Sequence, residues 1–360
     1  MMEDLPFKTW FYEEQTKMKH RVFAEYFKYW VRIVGSKNPL NYFDCFGGIG
    51  AYEDQDKKMY FGSPILAAEI IKANQSNIKK GVCIVIIDKD KANLENIKKI
   101  LEHKKLDIEV EFIHEDFDEA INKLLDKNPN LAPSFFFVDP FGFKIKLETL
   151  KRMMKVKKSE ILLNFMYNGI NRNLEVDDAD DILIELFGSD EWKKLKGLES
   201  RAKEKFIVEL FRSRLKEFSR FVYYYRLSFP EMNRTYYYLF HLTNHYMGCE
   251  IMKSAFAKYN HGRGEYRGKN QNQMTIFDYG VVKIDEIKKY LLSTYKGMSK
   301  SFIGIIEEQI DETPYLVKHI RQSINELENE GKLKIKRENP LTPTGKTRKS
   351  LINEDTVIFN

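Results

Sequence analysis

Residues 41–52 read NYFDCFGGIGAY, and this stretch decides how the rest of the sequence is interpreted. The apolar residues before Asp44 are typical of the end of a buried strand. The turn that follows contains glycines, which let backbone N–H groups approach a ligand closely. These glycines are Gly47, Gly48 and Gly50. The stretch therefore predicts a strand followed by a ligand-binding turn.

A second turn of this kind follows residues 134–138, which read SFFFV and predict another buried strand. It begins at Asp139 and continues through Pro140 and Phe141 to Gly142. Open α/β sheets bind ligands at the carboxyl ends of their strands, where the strand order reverses. We therefore expect the two turns to lie side by side at one edge of a sheet.

Apolar runs alternate with amphipathic helical patterns through the first half of the chain. The predicted strands are residues 40–44, 82–87, 108–113, 135–138 and 160–166. This alternation predicts a parallel sheet covered on both faces. Two aromatic-rich runs, 221–227 and 235–243, predict an antiparallel hairpin that closes it. The expected fold is α/β, with the seven-stranded, Rossmann-like sheet of class I methyltransferases over residues 1–270 and a helical insertion at about 171–219.

Residues 13–34 predict a helix that packs across this sheet, because apolar side chains recur at intervals of three and four. Its other face is expected to be solvated. The side chains of that face are Lys17, Lys19, His20 and Arg21. His20 is nevertheless a candidate substrate-binding residue, as is His245, which follows a predicted strand. A structural role is the alternative for both histidines.

From residue 281 to residue 360 the pattern changes to three helices followed by a basic two-stranded appendage, which is the order of a winged helix. Lys334, Lys336 and Arg337 give the wing a positive charge suited to phosphates. The third helix is acidic in its second half, so only its first half suits a groove. This module predicts a nucleic-acid partner, RNA or DNA, with protein docking as the alternative.

The composition sets broader limits. The 360 residues include 59 Lys and Arg against 53 Asp and Glu, and the net charge of +6 permits a nucleic-acid partner without requiring one. The three cysteines are far apart and lack the CxxC spacing of a zinc site. No stretch approaches 18 uninterrupted apolar residues. We therefore expect a cytoplasmic protein without a membrane segment, a disulfide framework or a bound metal.

The first turn and the carboxylates after the strands predict a nucleotide-type cofactor, S-adenosylmethionine. Asp44 is expected near the methionine ammonium, and Phe46 with the glycines beside the cofactor. Asp88 is expected to accept hydrogen bonds from the ribose hydroxyls, and Asp116 with Phe117 to hold the adenine. The turn does not match G-x-G-x-x-G, which argues against a dinucleotide. NAD, another ligand and a degenerate site remain the alternatives.

The second turn suits a weakly nucleophilic amine. The Asp139 carboxylate and the Pro140 carbonyl can accept its two hydrogens and turn the nitrogen lone pair toward a methyl donor. Phe141 or Phe143 is expected to stack on the base, which must be flipped out of a duplex or presented single-stranded. An ordinary strand-ending turn is the alternative, because Asp, Pro and Gly are common in such turns.

These motifs resemble known families. The segment from Asp139 to Gly142 resembles the Asp-Pro-Phe-Gly form of tRNA guanine-N2 dimethyltransferases. It departs from the Asp/Asn-Pro-Pro-Tyr/Phe motif of other nucleic-acid amino-methyltransferases at Phe141. The region up to about residue 280 more closely resembles the three-Cys-motif partner protein (TcmP) family. The matching segments are Lys19-His20 and residues 42–50, 62–64, 139–142, 245–252 and 273–277.

The second resemblance implies a methyltransferase fold and a partner protein with three clustered cysteines, itself similar to radical-SAM enzymes. Taken with the motifs, it favours transfer of a methyl group from S-adenosylmethionine to an exocyclic amine of a nucleic-acid base. The non-enzymatic alternative is a methyltransferase-like adaptor that binds the three-Cys protein and nucleic acid. A nuclease is disfavoured, because the sheet edge offers Asp139 and few other acidic residues nearby in sequence.

Overall fold

The structure, a computed structural model, describes residues 5–174, 179–195, 198–228, 235–260, 265–266, 283–341 and 345–360. The chain divides into two units, each with its own packing. The first unit comprises residues 1–255 and 265–272. The second comprises residues 256–264 and 273–360, which include the predicted winged helix.

The strands alternate with helices along most of the chain. The strands are β1 (Trp10–Phe11), β2 (Leu40–Asp44), β3 (Ala51–Glu53), β4 (Met59–Phe61), β5 (Val82–Asp88), β6 (Val110–His114), β7 (Ser134–Val138), β8 (Glu160–Phe165), β9 (Phe221–Ser228), β10 (Thr235–Thr243), β11 (Glu265–Tyr266), β12 (Ser299–Ser301), β13 (Leu333–Lys336) and β14 (Thr356–Phe359). The helices are α1 (Glu14–Gly35), α2 (Ser63–Ala73), α3 (Lys91–His103), α4 (Phe117–Lys127), α5 (Leu147–Met154), α6 (Tyr167–Asn173), α7 (Asp180–Phe187), α8 (Ser200–Lys216), α9 (Tyr246–Asn260), α10 (Ile284–Thr294), α11 (Phe302–Gln309) and α12 (Val317–Asn329).

The large sheet of the first unit has the strand order β11-β9-β10-β8-β7-β2-β5-β6. Strands β6, β5, β2, β7 and β8 are parallel to one another. Strand β10 is antiparallel to both of its neighbours, β8 and β9. Counted along the chain without the two-residue edge strand β11, the seven strands lie in the order 3-2-1-4-5-7-6. This is the sheet of class I methyltransferases, so the predicted fold is confirmed.

The predicted strands of this sheet all occur, with each end within two residues of the expected position. Strands buried on both faces are continuous apolar runs, and the sequence carries that signal. Helix α1 covers one face of the sheet with an aromatic stripe. The rings of Phe23, Phe27 and Trp30 lie 5.3 to 6.0 Å from the ring of Phe135 on the central strand β7.

The opposite face is covered by α4, α5 and the helices of the predicted insertion, which share one hydrophobic core with the sheet. Phe165 of β8 stacks on Phe211 of α8 at a centroid distance of 4.4 Å. The insertion is therefore part of the core of the first unit and not a separate body. Among the described residues, none of the helices is both long enough and apolar enough to span a membrane.

A small second sheet, in the order β1-β3-β4, was not predicted. Strands β3 and β4 form a hairpin whose tip, residues 54–58, is charged. Asp54 closes it by accepting the backbone N–H groups of Asp56 and Lys58 at 3.1 and 3.0 Å. Strand β1 pairs in parallel with β3 through Trp10 and Phe11.

The described part of the second unit has the element order α10-β12-α11-α12-β13-β14, with the strands arranged as β12-β14-β13. This is a winged helix, as predicted. The segment between β13 and β14 is held by the buried pair of Arg348 and Asp355, whose charged groups meet at 2.6 Å. Two features named above lie outside the described residues: the turn of the predicted hairpin at 229–234 and the matching segment at 273–277.

Candidate cofactor and acceptor site

The two predicted turns lie side by side at the carboxyl edge of the large sheet. Strands β2 and β7 are adjacent and parallel, and Asp44 is paired in register with Phe137. The next residue, Cys45, donates its backbone N–H to the Phe137 carbonyl at 2.9 Å. Asp139 follows two residues after Phe137, so both turns leave the sheet at the same level. The strand order reverses at this point, which is where open α/β sheets bind ligands.

The first turn accepts only glycine at its key positions. Gly48 and Gly50 have φ angles of 59° and 78°, which side chains disfavour. A Cβ atom on Gly47 would lie 2.6 Å from Cγ2 of Ile86. The Gly47 N–H donates to the Ile87 carbonyl at 2.9 Å, which ties the turn to the neighbouring strand β5.

Asp44 is fully buried at the end of β2. The Tyr42 hydroxyl donates to its Oδ2 atom at 2.8 Å, whereas Oδ1 has no hydrogen-bond partner among the described residues. Burial raises the pKa of Asp44 to about 7, and the hydroxyls of Ser63 and Tyr42 limit the rise. The charge of Asp139 adds to it. By distance, Oδ1 therefore has no partner among the described residues, although the Ser63 hydroxyl and the Phe46 N–H also lower the pKa of this carboxyl.

Asp88 lies at the end of β5, as predicted, but its oxygens already have partners. Its Oδ2 atom accepts the Gly48 N–H at 2.7 Å and its Oδ1 atom accepts the Asp90 N–H at 2.8 Å. The side chain of Asn93 adds a longer contact of 3.3 Å to Oδ2. Asp88 therefore stabilises the glycine turn by accepting the Gly48 N–H. This role was not predicted from the sequence.

The residues expected to hold the adenine have other roles in this structure. Asp116 is exposed and caps helix α4 by accepting the Asp118 N–H at 3.0 Å. Phe117 is buried in the hydrophobic core, with its ring 5.1 Å from the ring of half-buried Phe46. A residue at the start of an amphipathic helix commonly packs inward, so Phe117 contributes to the core, and its contact with the adenine stays a prediction.

Asp139 is held by two side chains that the sequence analysis did not connect with it. The Lys19 ammonium lies 2.5 Å from its Oδ2 atom, and the Asn164 amide donates to its Oδ1 atom at 2.7 Å. The Lys19 side chain is 8% exposed and lies 5.6 Å from the centroid of the Tyr237 ring. The expectation that Lys19 is solvated is therefore wrong, because its buried side chain pairs with the partly buried carboxylate of Asp139.

The residues beside Asp139 differ in exposure. Pro140 is buried, whereas Phe141 is 69% exposed and meets the ring of Trp10 edge to face at 5.5 Å. Phe143 packs against the hydrophobic core. Of the two candidate stacking residues, Phe141 is the more exposed, and Phe143 is partly buried.

His20 is buried and not on a solvated face. Its Nδ1 atom lies 2.9 Å from the Tyr12 hydroxyl, and its ring meets the ring of Tyr52 at 5.5 Å. Burial, together with the charge of Lys19, holds the pKa of His20 well below its usual range. His20 therefore links helix α1 to the small sheet as a neutral side chain, with no exposed surface for a substrate.

His245 lies at the other edge of the sheet. Strand β10 is antiparallel to β8 and pairs Leu242 with Ile161, near the amino end of β8. The end of β10 is therefore far from the two turns, and His245 does not line their site. Its Nδ1 atom accepts the Met247 N–H at 3.2 Å at the start of α9. The prediction overlooked that the second strand of the expected antiparallel hairpin ends at the opposite edge of the sheet from the two turns.

A buried polar cluster at that same edge was not predicted. Glu160 accepts hydrogen bonds from Tyr26 and, at 3.0 Å, from Thr243, and the His241 Nε2 atom lies 3.1 Å from it. The Nε2 atom of His241 therefore has a partner in Glu160, whereas its Nδ1 atom has none among the described residues. His241 is therefore a structural residue of the interface between α1 and the sheet.

Among the described residues, no group of three or more His, Cys, Asp or Glu side chains is placed to hold a metal ion. Asp180 and Asp181 occupy the first turn of α7, where the helix dipole favours negative charge. Asp180 also pairs with Lys193 at 2.8 Å.

Of the three basic wing residues expected to contact phosphate, two are exposed and one is paired within the protein. Lys334 and Lys336 are exposed on β13. Arg337 instead forms a bidentate pair with Glu328 of α12, with both distances at 2.7 Å. Arg337 therefore has an internal partner, and its contact with phosphate stays a prediction. The acidic partner comes from a preceding helix, which is why a reading of the wing sequence missed it.

A family model described as a GMT-like wHTH domain matches residues 267–340. The structure describes residues 283–340 of this segment, which hold α10, β12, α11, α12 and β13. The match and the observed element order agree on a winged helix-turn-helix. A search of curated proteins found no match to this sequence.

Several solved structures are similar to this chain at low identity. A Legionella pneumophila protein of the DUF519 family is 13% identical, with 68% of this chain and 91% of that chain covered and a TM-score of 0.44. A SAM-dependent methyltransferase from Agrobacterium tumefaciens is 12% identical, with 62% and 61% covered and a TM-score of 0.38. A protein described as an rRNA-methylase from Clostridium thermocellum is 14% identical, with 60% and 94% covered and a TM-score of 0.32. The fold assignment itself rests on the strand order.

Proposed function

We propose that this protein transfers a methyl group from S-adenosylmethionine to an exocyclic amine of a nucleic-acid base. The observation that carries the proposal is the buried Oδ1 atom of Asp44, which lacks a donor beside a glycine turn at the switch point of a methyltransferase-type sheet. A buried acceptor without a partner costs about 1 to 3 kcal/mol. A ligand with a cationic donor group relieves that cost.

The residues present fit the methionine end of this cofactor. Asp44 would pair with the ammonium group, and the backbone of Gly48 and Gly50 would allow the ligand to approach the turn closely. When bound, the cofactor supplies a sulfonium-activated methyl group. Asp88 would act indirectly, because it fixes the turn through the Gly48 N–H.

The acceptor would lie over the second turn. Asp139 and the carbonyl of Pro140 would orient the amine, and Phe141 would stack on the base from the exposed side. The Lys19 ammonium offsets the charge of Asp139, so this half of the site has little net charge. That balance favours a neutral amine of a base over a cationic amine of a lysine side chain.

The winged helix would hold the nucleic acid. Lys334 and Lys336 are exposed, and no ion pair of either is found in the part of the chain that the structure describes. Lysine side chains that meet phosphates release counterions, so the affinity would fall with salt. The resemblance noted above supports a further protein partner, one with three clustered cysteines.

Transfer of tritium from labelled S-adenosylmethionine tests the proposal. The full chain is incubated with total RNA or with total DNA from the organism that produces it. The tritium incorporated into the nucleic acid is compared with the amount incorporated by Asp139→Ala. We expect incorporation into one nucleic acid and a loss of at least tenfold in the variant. Equal incorporation by both proteins contradicts the role of Asp139, and none by the wild type contradicts the activity.

The structure also lends support to the adaptor alternative. Both oxygens of Asp88 accept backbone N–H groups, and Phe117 is part of the core, so two predicted contacts to the nucleoside are used internally. An adaptor would bind nucleic acid without binding the cofactor. Equilibrium binding of the cofactor to the purified protein separates the two functions.

A further inference from the structure

Asn164 lies where the second turn meets the neighbouring strand. Strands β7 and β8 pair Phe137 with Leu162 and Val138 with Leu163, so the next step of this register places Asp139 opposite Asn164. The other face of β8 holds Leu163 and Phe165 in the hydrophobic core. The alternation of side chains therefore puts Asn164 on the face covered by α1, which carries Lys19.

The amide of Asn164 has a fixed orientation. Its Nδ2 atom donates to Asp139 at 2.7 Å and lies 3.3 Å from the sulfur of Met166. Because a carboxylate accepts only from the amino side of the amide, the oxygen cannot exchange places with the nitrogen. That oxygen, Oδ1, has no hydrogen-bond partner among the described residues, although the side chain is only 3% exposed.

Asp139, by contrast, has a partner on each oxygen. Lys19 lies 2.5 Å from Oδ2, and Asn164 donates to Oδ1. A charge-assisted contact of this kind is stronger than the bond between two neutral groups. An incoming amine would have to compete with both partners at Asp139, whereas at Asn164 Oδ1 it would meet no competitor.

We infer that the Asn164 amide oxygen accepts the hydrogen bond from the group to be methylated, and that Lys19 and Asp139 hold Asn164 in place. This inference rests on the proposed methyltransferase function and changes the residue that touches the acceptor. Asn164 is then a catalytic residue, and Lys19 with Asp139 are positioning residues. Because an amide oxygen only accepts and the Lys19–Asp139 pair is neutral overall, the substrate class is a neutral N–H donor.

Three variants test the inference in the full chain, with host RNA and DNA as acceptors. Asn164→Ala removes both the hydrogen-bond acceptor and the hydrogen-bond donor of this side chain. Asn164→Ser keeps a smaller hydroxyl group that can donate and accept a hydrogen bond. Asn173→Ala is the matched control, because within the described ranges its amide makes one hydrogen bond, to the Gly169 carbonyl at 2.8 Å. Tryptophan fluorescence and the dissociation constant of S-adenosylmethionine show whether each variant keeps its fold and its cofactor site.

We expect Asn164→Ala to lower kcat by about 30-fold or more while the cofactor dissociation constant changes less than about threefold, since loss of one transition-state donor or acceptor costs about 10²- to 10³-fold. Asn164→Ser should recover part of the loss, and Asn173→Ala should match the wild type. If Asn164→Ala keeps more than a third of wild-type kcat while Asp139→Ala is inactive, Asp139 touches the acceptor and the inference is wrong. Label in protein lysines instead of nucleic acid also overturns it. An inactive wild type removes the proposed function itself, which is a separate result.

Discussion

Asp44→Asn should make the first unit more stable and should weaken its binding of the cofactor. Burial raises the pKa of Asp44 to about 7. A tenfold change in proton affinity corresponds to about 1.4 kcal/mol, so the ionised carboxylate costs the fold about 4 kcal/mol relative to an ordinary aspartate near 3.9. Asparagine has no charge to bury, but its amino group needs an acceptor at a cost of about 1 to 3 kcal/mol. At pH 8 we expect the variant to be more stable by about 1 to 3 kcal/mol.

The direction in which stability changes with pH follows from the protonation state of Asp44 in the folded and unfolded protein. Between pH 5 and pH 7 Asp44 is protonated in the folded state and ionised in the unfolded state, so the folded state binds more protons and its stability falls as pH rises. As the pH rises from 5 to 8, ionisation of Asp44 therefore lowers the free energy of unfolding of the wild type by about 3 kcal/mol. In Asp44→Asn this contribution is absent. The advantage of the variant should grow by that amount over this range.

Urea unfolding followed by tryptophan fluorescence measures this difference, because the chain has three tryptophans, Trp10, Trp30 and Trp192, and all lie in the first unit. Asp107→Asn, at an exposed carboxylate, is the control and should leave the pH dependence unchanged. If the wild type and Asp44→Asn lose stability in parallel from pH 5 to pH 8, the ionisation of Asp44 is not the cause. Added S-adenosylmethionine should stabilise the wild type more than the variant at pH 8.

Other substitutions test separate parts of the account. Gly47→Ala places a methyl group 2.6 Å from Ile86 and should destabilise the first unit by about 1 to 3 kcal/mol in urea unfolding; no change would show that the turn has room. Arg348→Ala removes the cationic partner of Asp355 and should destabilise the winged helix, seen as faster hydrogen exchange in α12. Exchange in the first unit should not change. Replacing Lys334 and Lys336 by Gln should lower nucleic-acid affinity in fluorescence anisotropy and reduce the slope of log K against log salt by about 1.4 to 1.8. An unchanged slope would place the phosphates elsewhere.

The sequence predicted the large sheet well because its strands carry a strong local signal. Apolar runs buried on both faces, such as residues 135–138, have few alternative interpretations. The order of the strands then followed from alternating helices and one hairpin. The small sheet was missed because β1 has two residues and β3 and β4 have three each, which is too short for a periodic pattern.

The adjacency of the two turns was predicted, but the contacts of their side chains were not. Asp44 and Asp139 were identified because each ends an apolar strand. Their partners come from distant segments: Lys19 lies on a helix 120 positions before Asp139 and Asn164 on a strand 25 positions after it. Such a pair is visible only once the register of β7 and β8 is known. The misplacement of His245 has the same origin, since the direction of a strand is not a local property.

Binding of S-adenosylmethionine to the full-length wild type at pH 7.5, followed by calorimetry, is the most direct test of the central claim. The account predicts one site per chain, with an affinity that falls between pH 7 and pH 6 as Asp44 takes up a proton. Loss of the charge-assisted contact in Asp44→Asn should weaken binding by about 10- to 150-fold. A wild type that folds normally and binds no cofactor, or binding that is the same in Asp44→Asn, would contradict it.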